Sequence, residues 1–395
     1  MNSRWLTVLS LAVVLGLGWS FARGVNRPPF PQPATFSTQI TTPLAIEGLT
    51  GDHTNNLYTI GRNAGAGVSC PVWRINLANP SLVVVGYIPA PSATGQCSPS
   101  GVAFDAAGDL FAADGTQVLR LTPNAATPPT ATVFASGVPG TNGLAFDREG
   151  NLWTGDGTTG QGRVWKITPD GVVTEVFRIQ PMRNSAALGG VVAGDGVGRQ
   201  ARTFPPGTLA NVAGGQDLVA NGLAFDREGD LFVADTARGA IWKIEFDPQG
   251  NVKSPMGCDT TFTPNTLCLD AILVTHPLLD GVDGIALDQL GNIWGTANER
   301  NAVVVATITG TVAEVFRNAP DAASNLRNTG PLEFPTSPFL SDKTLCASNS
   351  DGNRRDNSPS SAGEIGGAGQ PRGKITCMDQ DLLIPGLPLP VDLSP

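Results

Sequence analysis

Five stretches of the chain repeat one frame: EGLTGDHTNNLYTIG from Glu47, SGVAFDAAGDLFAAD from Ser100, NGLAFDREGNLWTGD from Asn142, NGLAFDREGDLFVAD from Asn221 and DGIALDQLGNIWGTA from Asp283. In each, a polar residue followed by Gly stands ten positions before the apolar residue that opens a second run: Leu57, Leu110, Leu152, Leu231 and Ile293. Repeats with a period of about 40 residues plus insertions restrict a chain to folds built from copies of one supersecondary unit. The frame stays constant while its polar slot changes from Glu to Ser to Asn to Asp. A constant frame is what a scaffold repeats, and a slot that varies among oxygen-bearing side chains is where that scaffold can carry a site.

Each unit reads as a hairpin: an apolar run, a tight turn with Asp and Gly at permissive positions, and a second apolar run. Two further runs follow. Val164–Ile167 precedes Val172–Phe177, Ile241–Ile244 precedes Val252, and Val303–Ile308 precedes Val312–Phe316. Four strands per unit predict an all-β chain, a six-bladed β-propeller with four-stranded antiparallel blades. The blades start near residues 47, 100, 142, 221, 283 and 335. The sixth (Phe334, Pro335, Thr336, Ser337, leading to Leu345) keeps the spacing without the polar–Gly pair, and Phe36–Leu44 is the candidate for its closing outer strand. Composition agrees: Gly 48 and Pro 32 among 395 residues supply many turns, and 15% charged residues is well below the roughly 25% usual for soluble domains. A net charge of −9 and a pI near 4.8 exclude the basic footprint of a nucleic-acid binder.

Residues 1–22 have the layout of a signal peptide: Arg4, an apolar stretch from Trp5 to Trp19, and the small-x-small site Ser20-Phe21-Ala22. The stretch is short for a membrane span; an uncleaved anchor is the alternative. A Pro-rich segment occupies 23–43, and the propeller is expected over 44–390. Export to the periplasm or the extracellular space gives the six cysteines a role, because disulfides persist in oxidising compartments. Of fifteen pairings, the strand arrangement favours Cys70–Cys97, Cys258–Cys268 and Cys346–Cys377. A zinc site is the competing use, but there is no CxxC and only two histidines.

Topology places the slots. The innermost strand of a blade lines the channel, and strands alternate in direction. All slot residues therefore sit at one end of the channel, with the first hairpin turns, including His53, at the other. Insertions 178–219, 254–282 and 349–373 are expected at the slot end, as a lid or as plain surface loop. Glu47, Asn142, Asn221 and Asp283 converge on one mouth. Two carboxylates and two amide oxygens suit Ca²⁺ or Mg²⁺, with Mn²⁺ or Zn²⁺ as further occupants. Asn-Gly and Asp-Gly pairs also start strands where no metal binds, but the mixture of Glu, Asn and Asp favours a cation. His276, near Asp283, reads as a hydrogen-bonded loop residue before a catalytic base. Trp153, Trp242 and Trp294 read as packing between blades.

The units from Asn142, Asn221 and Asp283, the early Glu-Gly and the phrase FPTSPFLSDKTL resemble the SMP-30/gluconolactonase family of six-bladed propellers across most of residues 44–390. The frame itself is shared with NHL-type and strictosidine-synthase-like propellers. The resemblance implies one divalent cation held by Glu47, Asn221 and Asp283, with Asn142 as a further metal or substrate contact. It also implies hydrolysis of a lactone with Asp283 as the base. The chain departs from the family in its length, its insertions, its cysteines and the phrase EGLTGD around Glu47. The expected function is metal-dependent hydrolysis of a small-molecule lactone or related ester by an exported propeller, with no nucleic-acid partner and no stable membrane insertion. The alternative is a non-catalytic exported propeller that binds a partner or glycan and carries a structural cation.

Overall fold

Each repeat becomes a meander of four antiparallel strands because its Asp closes the first hairpin. In the computed structural model, Asp147 Oδ1 accepts hydrogen bonds from the backbone N–H of Glu149 (3.0 Å) and Asn151 (2.8 Å). Its Oδ2 accepts one from Trp153 Nε1 (2.7 Å). Asp288 does the same with Leu290, Asn292 and Trp294 in blade five. A side chain that satisfies two turn amides and an indole fixes the turn and the register of the strand after it. The repeated Asp is thus a structural residue.

The structure describes residues 30, 34–52, 54, 56–180, 220–258, 260, 262–319, 330–350 and 372–388, with three two-residue strands at 184–185, 191–192 and 202–203 that form one small sheet. It is a six-bladed propeller of four-stranded sheets, and its only helical turns among the described residues are three-residue 3₁₀ segments. The innermost strands are Ile46–Gly51, Pro99–Phe104, Thr141–Phe146, Ala220–Phe225, Val282–Leu287 and Pro335–Ser341. In blade six the outermost strand is Phe36–Thr42, which pairs antiparallel with Gly373–Met378. The N-terminal end of the propeller therefore joins its C-terminal end, and the ring closes by hydrogen bonds. The Pro-rich segment adds Phe30, buried edge-on against Trp294 at 5.5 Å between ring centroids.

The three disulfides pair as the sequence predicts, with Cα–Cα distances of 6.0, 5.5 and 4.0 Å for Cys70–Cys97, Cys258–Cys268 and Cys346–Cys377. The last joins directly opposed residues of neighbouring strands. Trp153, Trp242 and Trp294 are buried. No helix among the described residues is long and apolar enough to cross a membrane.

Blade four departs from expectation. Its outer strand is Ile272–Thr275, paired with Ala240–Trp242; Val252 makes only an isolated bridge to Phe246. The loop before Ile272 therefore leaves from between the third and fourth strands. It runs along the circumference, where Thr266 bridges Arg178 at the edge of blade three. Most of 254–282 is thus not over the channel mouth. The lid expected of 178–219 and 349–373 falls almost wholly outside the described residues, as does His53.

Candidate functional site

The slot is built by a β-bulge that recurs in all six blades. Pairing between the first and second strands breaks between Ile46 and Leu49, Pro99 and Val102, Thr141 and Leu144, Ala220 and Leu223, Val282 and Ile285, and Pro335 and Pro338. The residues inside these breaks are the polar–Gly pairs, with Thr336-Ser337 taking the place in blade six. A bulge releases a residue from the ladder and re-aims its side chain.

The Gly has a separate cause. A Cβ on Gly48 would lie 2.3 Å from the Ser100 carbonyl oxygen, on Gly101 2.1 Å from that of Asn142, and on Gly143 2.4 Å from that of Asn221. Gly222 meets the Asp283 oxygen at 2.7 Å and Gly284 the Thr336 oxygen at 2.5 Å. Thr336 Oγ1 then donates to the Glu47 carbonyl at 2.7 Å. Six slots are thereby packed backbone to backbone into one closed ring. Glu47, Ser100, Asn142, Asn221, Asp283 and Thr336 all belong to it, and all are buried or nearly so. Beyond the ring, toward the hairpin-turn end, the channel opens into an apolar chamber lined by Leu49, Val102, Leu144, Leu223 and Ile285, with Leu387 of the C-terminal segment at its wall.

How each slot side chain is held depends on the residue fifteen positions later, just past the second strand: Arg62, Gly115, Gly157, Thr236 and Asn298. This second variable column was missed in reading the sequence, although it is visible once the units are aligned. Asn221 Nδ2 donates to Thr236 Oγ1 at 3.1 Å, and Thr236 Oγ1 donates to the Val282 carbonyl at 2.7 Å. With its one proton given to Val282, Thr236 can only accept from Asn221. That requirement fixes the amide with its NH₂ toward Thr236 and leaves Oδ1 as the acceptor atom. Asn298 Nδ2 likewise donates to Asp283 Oδ2 at 2.9 Å. Gly157 makes room: a Cβ there would lie 2.2 Å from Asn142 Nδ2. Asn142 is 8% exposed, and among the described residues its amide makes no hydrogen bond. Ser100 Oγ instead donates to the Thr141 carbonyl at 3.1 Å and serves to tie blades two and three.

Blade one differs from the rest. Glu47 is in ion-pair contact with Arg62, and the two side chains are 14% and 13% exposed. Arg62 Nη2 also donates to Ser98 Oγ at 2.8 Å. Next to it, the Asp114 carboxyl is pushed above its usual range by burial, against the opposing pull of the Ser98 N–H and the Arg62 charge. His276 is a capping residue: its Nδ1 accepts from Leu278 N–H at 3.1 Å.

The donor set fits a hard cation of modest charge demand. Asn221 presents a fixed amide oxygen, Asn142 an amide unsatisfied within the described protein, and Asp283 a carboxylate whose Oδ2 is held by Asn298. Among the described residues no three His, Cys, Asp or Glu side chains gather as a metal group. A cation here would rest on two carboxylates supplemented by amide oxygens.

Comparison with known proteins bears on the same features. A family model described as the SMP-30/Gluconolactonase/LRE-like region matches residues 197–327, which contain Asn221, Thr236, Asp283 and Asn298. No curated protein sequence matches the chain. Among solved structures, a luciferin-regenerating enzyme is 13% identical, with a TM-score of 0.57 over 90% of this chain and 98% of its own. The calcium-binding protein regucalcin from Agrobacterium tumefaciens is 15% identical, with a TM-score of 0.54 over 90% and 96%. A putative gluconolactonase is 15% identical, with a TM-score of 0.51 over 91% and 96%. Likeness at these identities concerns the fold. Built on that fold, the chain carries an SMP-30/gluconolactonase/LRE-like region within a six-bladed β-propeller.

Proposed function

We propose that the chain is an exported, cation-dependent hydrolase of a lactone or related ester, acting at the slot end of its channel. The observation that carries this reading is the oriented amide of Asn221: a buried hydroxyl takes its NH₂ and leaves Oδ1 as an acceptor, in the slot next to that of the Asp283 carboxylate. Glu47, Asn221 and Asp283 would hold the ion, which we take to be Ca²⁺, with Asn142 contacting ion or substrate. Bound there, a divalent ion supplies polarisation of the carbonyl and a lowered pKa for the attacking water. Asp283 would accept a proton from the attacking water and return it to the alkoxide released as the ring C–O bond breaks, and Asn298 on Oδ2 holds its carboxylate in position. Asn142 donates from Nδ2 to the ring oxygen or carbonyl of the substrate. The neighbours described as calcium-binding and as a gluconolactonase support the cation and the substrate class. Three disulfides and the signal-like residues 1–22 support export.

Acid release from a panel of small lactones by the mature chain, with EDTA and with Ca²⁺ restored, tests the proposal. Turnover lost with EDTA, regained with Ca²⁺, and abolished in a folded Asp283→Asn variant is the expected result. A variant with unchanged turnover removes Asp283 from its role. Bound cation without turnover on any lactone transfers the reading to the non-catalytic propeller with a structural ion.

A further inference from the structure

In blades one to five, the Glu47–Arg62 pair is the one place where the second variable column carries a charge. In blades two to five the same position is Gly115, Gly157, Thr236 and Asn298, all neutral. Buried carboxylates facing one channel repel each other and lose hydration unless a positive charge accompanies them. Arg62 supplies that charge from within the chain. It contacts Glu47, reaches Ser98 Oγ at 2.8 Å, and acts on the Asp114 carboxyl across the blade boundary. Ser98 links it to a second carboxylate, since the Ser98 N–H donates to Asp114 Oδ1 at 2.9 Å.

Resting on the cation reading above, we propose that Arg62 is a resident counter-cation that competes with the divalent ion for Glu47. The ring is compensated without metal, so the propeller folds and persists in a metal-poor medium. Loading the ion exchanges one partner of Glu47 for another, while the guanidinium turns toward Asp114 and Ser98. Because affinity for a hard cation follows the net charge of its ligands, Arg62 sets the site to bind weakly and release readily. It is a positioning residue for the metal rather than a catalytic group.

The test is calorimetric titration of the EDTA-stripped mature chain with Ca²⁺, alongside thermal unfolding with and without saturating Ca²⁺. Arg62→Met removes charge and donor; Arg62→Gln removes charge but keeps a donor to Glu47; Arg62→Lys keeps charge. The expected result is at least tenfold tighter Ca²⁺ binding in Arg62→Met and at least fivefold in Arg62→Gln, with Arg62→Lys within threefold of the parent. The apo forms of both neutral variants melt lower than the parent and gain more from Ca²⁺, as a ligand binding only the folded state requires. If Arg62→Met does not fold, Arg62→Gln carries the test. Parent-like or weaker binding in the neutral variants overturns the inference and leaves the cation reading standing. Absence of Ca²⁺ binding in the parent and every variant overturns both.

Discussion

Replacing Thr236 by Val isolates the device that aims the site. The side chains match in shape, and Thr236 is fully buried, so little is changed except one hydroxyl. That hydroxyl accepts from Asn221 Nδ2 at 3.1 Å and donates to the Val282 carbonyl at 2.7 Å. Its removal leaves a buried donor and a buried acceptor without their partner. Each costs about 1–3 kcal/mol where water cannot enter, and the Asn221 end lies nearest the channel, where water can. A net destabilisation of about 2 kcal/mol is expected by urea denaturation, taken from the lower part of that range for the two groups. The functional effect is separate. Without an acceptor at Thr236 the Asn221 amide is free to flip and to place NH₂ where Oδ1 should be. Loss of a partner that orients a ligand typically costs 10–100-fold in metal affinity, about 1.4–2.7 kcal/mol. Calcium titration of the folded variant reads this directly, and Thr236→Ser, which keeps the hydroxyl, should stay within about threefold of the parent. A folded Thr236→Val variant that binds Ca²⁺ like the parent would refute the argument that this hydroxyl orients the ligand.

Two further predictions concern the ring and its neighbours. Gly101→Ala places a Cβ 2.1 Å from the Asn142 carbonyl oxygen, so blades two and three must part; denaturation should show a loss of about 1–3 kcal/mol. Gly108→Ala, at a turn with φ of 86° and nothing within 4 Å of the new atom, should lose only the roughly 1–2 kcal/mol of the left-handed backbone. Asp114 has its carboxyl raised by burial. Its contribution to stability is therefore fully present below the ordinary carboxylate pKa of about 4 and is lost as pH rises through the folded value. Asp114→Asn, which cannot ionise, should be more stable than the parent at pH 7, with the advantage vanishing below about pH 4. An advantage that instead grows toward low pH would mean that the Arg62 charge, not burial, governs Asp114.

The parts of the fold that could be read in the sequence are those where backbone geometry dictates a residue type. The Asp of each of the first five hairpins accepts from two turn amides, and in blades three and five from an indole as well. The Gly after each slot is needed because the next blade's carbonyl comes within 2.1 to 2.7 Å of where a Cβ would be. Such demands recur in five of the six blades, so they recur in the text. The outer strand of blade four was not legible for the opposite reason. Ile272–Thr275 is four residues long, lies on the rim, and follows a disulfide-clipped loop; Val252 offers a similar β-branched signal nearer to the third strand. An outer strand has one neighbour and faces solvent, so its pattern is weakly constrained.

The site was legible in its slots and illegible in what holds them. Glu47, Asn142, Asn221 and Asp283 stand at a fixed place in a repeated phrase. Arg62, Thr236 and Asn298 also stand at one fixed place, but their chemistry is specific to the slot each serves: charge for a carboxylate, hydroxyl for an amide that must be turned, amide for a carboxylate that must be held. Gly157 completes the logic by giving Asn142 room where no support is provided. The bulge frees the slot column from the ladder, the second column lies just past the end of its strand, and the Gly neck carries most of the blade-to-blade contact, so the pair can change with limited disturbance of the ring. A propeller of this kind therefore alters its chemistry two residues at a time, one slot and the position fifteen further on. Exchanging one member without the other should cost more than exchanging both, and a double-mutant cycle on Asn221 and Thr236, read by Ca²⁺ affinity, should return a coupling of about 1 kcal/mol or more.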